Sequence, residues 1–211
     1  MRHVKKWMPR AGLCLLAGIT LGPRAALAAA SLADAVALYK GRHYPEAEAI
    51  LQPLAAAEPA NAGAAYFLGM TLLRAGGPTA LDSARVWLGK AVRLRPDDAG
   101  YLAQYAGVCL LLADRDSSFS LALEGRDDMS QAITRNPGDI EAKEGLMRFY
   151  AKAPWPLGDP GKALALAADI AARDPKRGVQ EYEALAATFT RAGRTQDAAA
   201  ASRAEQSLAH P

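Results

Sequence analysis

The feature that most constrains this chain is a recurring unit. A helical segment with an apolar stripe is followed by a turn, a second striped segment and then a proline. Pro59, Pro96, Pro137 and Pro175 each follow such a segment, at intervals of 37, 41 and 38 residues. The clearest copy runs from Ala62 to Pro96 and reads Ala65-x-x-Leu68-Gly69-x-x-Leu72, then a turn, then Ala84-x-x-x-Leu88-x-x-Ala91. Spacings of three and four place these side chains on one face of each helix. Two helices of this length cannot bury their apolar faces alone, so each unit requires neighbours. The dictated architecture is a stack of helical hairpins.

Small, large and aromatic residues at these offsets, closed by a proline, resemble the tetratricopeptide (TPR) repeat, a helix-turn-helix unit of about 34 residues. The resemblance implies an all-α superhelical solenoid of about five repeats, at residues 31–61, 62–98, 99–139, 140–178 and 179–208. The proline intervals exceed the unit, and the surplus is expected in the turns, because the helical patterns on either side stay intact. Ser31 reads as the N-cap of the first helix and Pro45 as the start of the second. Gly76-Gly77-Pro78-Thr79 and Asp114-Arg115-Asp116-Ser117-Ser118 read as enlarged turns, with the helical pattern resuming early, at Phe119. The longest turn, Ala153 to Gly158, is closed by Asp159 as N-cap and Pro160 at the first helical position. Tyr182-x-x-Leu185-Ala186-x-x-Phe189, Gly193 and a cap at Thr195 make a last, alanine-rich repeat that ends in polar residues, as a terminal cap does. Phe149, Tyr150, Ala153, Pro154 and Gly158 are also similar to a group of exported bacterial TPR proteins, although Trp155-Pro156-Leu157 departs from that group's turn.

The first residues carry Arg2, Lys5, Lys6 and Arg10, then an apolar run from Ala11 to Gly22 and a small-residue string from Ala25 to Ala30. This is the pattern of a secretory signal peptide over residues 1–28, cleaved after Ala28 or Ala30. The apolar run is shorter than the roughly 20 residues that span a bilayer. A periplasmic or secreted protein is expected, with no stable membrane insertion after cleavage. Of 25 basic side chains in the 211-residue chain, five fall in that segment, which leaves 20 against 22 acidic ones. The basic balance belongs to the export signal, so it gives no argument for a nucleic-acid or anionic-membrane partner. Beyond Cys14 only Cys109 remains, and one cysteine makes no intramolecular disulfide.

TPR arrays curl so that the first helices line a concave groove, which receives an extended peptide or a partner helix. Projected by position, the groove residues are Tyr66, Met70, Leu73 and Arg74, then Gln104, Gly107 and Leu111, then Glu141, Glu144, Arg148 and Lys152. This predicts an apolar, aromatic end passing into a charged one. A second reading of Tyr66, Met70 and Leu73 is packing between helices. The positions at which some TPR domains clamp a terminal carboxylate with Lys and Asn hold Tyr66, Met70, Gln104, Glu141 and Gly145, so no such clamp is expected. Trp155 and Leu157 mark a second candidate interface along the edge of enlarged turns; alternatively, Trp155 folds back over the helix ends. His43 and His210 lack the converging ligands of a zinc site. Cys109 falls on an inner helix face, where a thiol is inert. Asp114, Asp116, Asp127 and Asp128 read as solvated surface carboxylates.

The expectation is a non-catalytic scaffold that binds a protein or peptide without cofactor or metal, in envelope assembly, secretion or a similar process. The alternative is a small-molecule or lipid carrier that uses the apolar end of the groove, which would need a closed pocket around Tyr66, Met70 and Leu73.

Overall fold

The computed structural model describes residues 31–209, and the expected export signal and His210 lie outside them. Ten helices pair into five hairpins: α1 (Leu32–Lys40) with α2 (Tyr44–Ala57), α3 (Ala62–Ala75) with α4 (Ala80–Leu94), α5 (Ala99–Asp116) with α6 (Phe119–Arg135), α7 (Ile140–Lys152) with α8 (Pro160–Arg173), and α9 (Pro175–Arg191) with α10 (Thr195–Ala209). No strand occurs among the described residues. None of these helices is long and apolar enough to cross a membrane.

The spacer prolines set the hairpin boundaries through the residue before them. Glu58, Arg95 and Asn136 stand before Pro59, Pro96 and Pro137, and all three leave the helical region, with ψ of 72°, 75° and 82°. A proline ring clashes with a helical residue ahead of it, so α2, α4 and α6 end there. Two residues after each proline, Asn61, Asp98 or Asp139 accepts a hydrogen bond from the third backbone N–H of the next helix, at 3.0, 3.0 and 2.9 Å. The Pro-x-Asn/Asp triplet therefore stops one helix and caps the next.

The fourth boundary is tighter than the sequence suggests. Pro175 is the first residue of α9, and Asp174 serves as both the C-cap of α8 and the N-cap of α9. The fifth hairpin accordingly begins at 175, four residues before the expected 179. Ser31 caps α1 in a full capping box with Asp34, and Asp159 caps α8 ahead of Pro160. Thr195 is already inside α10, whose first turn closes on the Arg194 carbonyl.

The surplus residues of the third repeat lie in its helices rather than its turn. Helix α5 has 18 residues and α6 has 17, which leaves only Ser117-Ser118 between them. Asp114 to Asp116, expected as a turn, form the last helical turn of α5. The Arg115 guanidinium fixes them by donating to both oxygens of Asp82 on α4, at 2.7 and 3.0 Å, and to Asp116. The turns at Gly76-Gly77, both at positive φ, and at Ala153 to Gly158 are enlarged as expected.

The core follows the seams of the stack. Leu68, Leu88, Ile170 and Phe189 are fully buried, and each such side chain contributes roughly 2 kcal/mol from the apolar surface it removes from water. Arginines tie successive hairpins together. Arg85 pairs with Glu124 at 3.1 Å, Arg177 pairs with Glu144, and Arg194 donates to the Ala151 carbonyl at 3.3 Å.

Candidate functional site: the concave face

The first helices of hairpins two to five line an open concavity of about 910 Å³. Its walls take Leu73 and Arg74 from α3, Gln104, Gly107, Leu111 and Asp114 from α5, Glu141, Glu144, Gly145, Arg148 and Lys152 from α7, and Arg177 from α9. These positions recur because one face of each first helix turns inward at every repeat.

The face is uneven along its length. Near hairpin two it is filled: Met70 is buried, and the half-buried Tyr66 ring stacks on Tyr101 at 4.4 Å and meets Phe67 edge-on at 5.1 Å. Burial pushes the Tyr66 phenol up to about 12, so it stays neutral at ordinary pH. Neither Tyr66 nor Met70 lines the concavity. Both follow the packing alternative, Met70 by burial and Tyr66 by its stack on Tyr101.

Between hairpins three and four the face is open. Gly107 on α5 and Gly145 on α7 present no side chain, and the buried Met129 of α6 forms the floor between them. A Cβ added at Gly107 would stand 3.8 Å from the Met129 methyl, and one at Gly145 3.2 Å from it. The opening is thus made by the missing side chain at Gly107, while Gly145 lets the Met129 methyl pack closely under it; both helices are continuous there.

A charged group sits on the α7 wall. Glu144 is only 4% exposed and accepts from Arg148 at 2.9 Å and from Arg177 on the next hairpin. Two guanidiniums on one buried carboxylate satisfy it in both directions and fix α7 against α9. Hydrogen bonding to Glu144 raises Arg177, and burial together with the Glu144 carboxylate raises the nearby Glu181. Instead of at Tyr66 and Met70 of α3, where it was expected, the apolar surface of the concavity lies beside the turns. There Leu111 and Phe119 are more than half exposed on the same concavity.

The long turn closes that end. Ala153, Pro154 and Leu157 line the concavity, and Leu157 is buried against Ala113, Ala122 and Ala153. Gly158 is obligatory, since a Cβ there would lie 2.0 Å from the Ala153 carbonyl oxygen. Trp155 does not fold back over the helices; it is 89% exposed. Leu157 seals the helix ends in its place, because the Pro154 carbonyl accepts from the Leu157 and Gly158 N–H groups and turns the chain inward at that residue.

The remaining reactive groups lie away from the groove. Cys109 is fully buried, and burial pushes its thiol up. It lies 3.9 Å from the Glu124 carboxylate, which also accepts from Tyr105 and Arg85. His43 is exposed at the N-cap of α2, 3.8 Å from Glu46. No cluster of metal-ligating side chains occurs among the described residues. Sequence projection did not reach Met129, which belongs to a second helix, or Phe119, which follows the shortened turn. Arg177 was missed because α9 starts a turn early.

By sequence, no family model and no curated protein matches the chain. Solved structures share its fold. A crystal structure of MamA superposes with a TM-score of 0.65 at 16% identity, covering 85% of this chain and 95% of that one. YrrB, described as a TPR protein with an unusual peptide-binding site, superposes with a TM-score of 0.64 at 16% identity, over 84% of each chain. A Thermobaculum terrenum O-GlcNAc transferase matches with a TM-score of 0.57 at 24% identity, over 70% of this chain but 25% of the transferase. The fold is that of a TPR solenoid.

Proposed function

From a TPR solenoid with one open stretch of concave face, we propose that the protein is a non-catalytic scaffold that holds an extended segment of a partner protein in that groove, outside the cytoplasm. The observation that carries this reading is the 910 Å³ concavity between hairpins two and five, open to solvent and walled by continuous helices. Preformed grooves on rigid elements bind with little ordering cost, and affinity then rests on a few anchors. The solved YrrB structure, of the same fold, is described as having a peptide-binding site. The signal-like pattern of residues 1–28 supports a site of action in the periplasm or beyond, and the proposed setting is a multiprotein process of the envelope or of secretion.

Two experiments test this. Cross-linking in periplasmic extract should capture a partner with the wild-type chain and lose it with Gly107→Leu, which fills the opening. Equal capture by both chains would show that binding, if any, lies elsewhere. Fusing residues 1–30 to alkaline phosphatase should give an active reporter, since that enzyme needs the oxidising compartment; an inactive, cytoplasmic fusion would refute export.

A further inference from the structure

We infer that the groove is selective for an acidic segment carrying a large apolar side chain, with that side chain seated in the opening between Gly107 and Gly145 and its carboxylates met by Lys152 and Arg74. The inference rests on the groove reading above and adds the chemistry of the occupant.

The apolar half of the site is set by geometry. Gly107 leaves a gap in the α5 wall, and the gap is floored by the Met129 methyl, packed under Gly145, rather than by a polar group. Methionine is polarisable and unbranched, so it accommodates aromatic and branched partners alike. The gap continues into Leu111 and Phe119, 53% and 56% exposed. These are two of the few large hydrophobic side chains left in water among the described residues, and both face this concavity. An apolar surface of this kind inside a concave site is a feature of binding sites.

The charged half comes from which ions already have partners. Arg148 is neutralised by Glu144, and Arg177 is held by the same carboxylate. Lys152 and Arg74 flank the apolar end, and neither has a carboxylate within 4.0 Å among the described residues. Asp114 is the one acidic residue lining that end, while Glu141 lies in the first turn of α7, toward the opposite end. At the apolar end, Arg74 and Lys152 are therefore the cations without a partner and face one carboxylate, Asp114, and complementarity there favours an acidic segment over a basic one. Lys152 also stands in the last turn of α7 and Arg74 in the last turn of α3. A carboxylate bound there approaches the negative end of two helix dipoles, so selectivity must come from these side chains and not from the backbone.

The test selects short random peptides displayed on phage against the wild-type chain, with counter-selection on Gly107→Leu. A leucine at 107 projects into the opening without backbone conflict, since even its Cβ meets only the Met129 methyl at ordinary contact distance. Circular dichroism and gel filtration confirm that the variant is folded, and Gly107→Ala serves as the conservative control that leaves room in the opening. The expected consensus is one aromatic or branched apolar residue with Asp or Glu nearby. Synthetic versions should bind about tenfold more weakly to a Lys152→Glu, Arg74→Glu chain, and their Lys-for-Glu counterparts should gain on that chain by a similar factor, the scale of one or two charge contacts. A groove-dependent consensus that is basic or free of large apolar residues would overturn the inference while leaving a peptide-binding groove intact. Recovery of no groove-dependent peptide, or retention of palmitate instead, lost in Gly107→Leu, would overturn both.

Discussion

Gly69 on α3 and Gly107 on α5 occupy neighbouring first helices of the same solenoid, and their missing side chains have opposite consequences. A Cβ at Gly69 would stand 2.9 Å from the Leu88 Cγ and 3.1 Å from the Leu88 backbone nitrogen, so this glycine lets α3 close onto α4. A Cβ at Gly107 meets only a methionine methyl, at 3.8 Å, on the concave side. The first glycine creates contact and the second creates space. The lesson is that seams between helices are set by the closest backbone approach, whereas the groove is set by which face of a continuous helix is left bare.

The largest effect that would sharpen this contrast is expected in the seam between hairpins four and five. A Cβ at Gly178 would lie 2.4 Å from the Ala171 Cβ and 2.5 Å from its Cα, so a backbone has to move. Gly178→Val should cost about 3 kcal/mol or more through overpacking, read as a lowered denaturation midpoint in urea. Unchanged stability would mean that seam is not close-packed.

A smaller loss is expected from the seam inside hairpin four, where the buried Lys143 of α7 pairs with Asp169 of α8. Asp169→Ala leaves an ammonium 1% exposed without its carboxylate and should cost about 2 kcal/mol, while Lys143→Met should be near neutral, because it removes the charge together with its need for a partner. The same pair predicts a pH dependence. The Lys143 hydrogen bond holds the Asp169 carboxyl below its ordinary value of 3.8. Its contribution is therefore complete above that value and is lost as pH falls through the lower folded one. Acid unfolding of Asp169→Asn should accordingly lack this component; an acid limb identical to wild type would refute it.

On the groove face the sign reverses. Gly107→Ala should stabilise the chain by roughly 0.5–1 kcal/mol, because it removes a mid-helix glycine without a clash. A loss of stability there would mean that Gly107 is a packing residue like Gly69, and the contrast would fail. The smallest effect belongs to Trp155→Ala. At 89% exposure the indole contributes little burial, so stability should change by less than about 0.5 kcal/mol. A larger loss would show that the long turn is held by its tryptophan rather than by Leu157.

Much of this was legible in the sequence, and the reason differs by region. The seams were legible because Ala65, Leu68, Leu72, Leu88 and Ala91 recur at helical spacing, and burying that stripe is what makes a hairpin stack at all. The caps at Ser31 and Asp159 were legible because a capping side chain acts within three residues of its own position. The polar run Asp114 to Asp116 was read as a turn because its helical form depends on Arg115 reaching Asp82 on another helix, which no local rule contains. Tyr66 was placed in the groove by its register, but the Tyr101 ring of the next hairpin drew it into a stack.

By itself, then, the sequence determined a TPR solenoid of five helical hairpins and the three boundaries marked by Pro59, Pro96 and Pro137, since periodicity, pre-proline strain and N-caps all act over a few residues. Only the tertiary structure decided where the concave face is open, because that depends on the side-chain volume that neighbouring hairpins bring to one place. Gly107, Met129 and Gly145 are far apart in the chain and unremarkable singly; together they leave the space that a partner can enter.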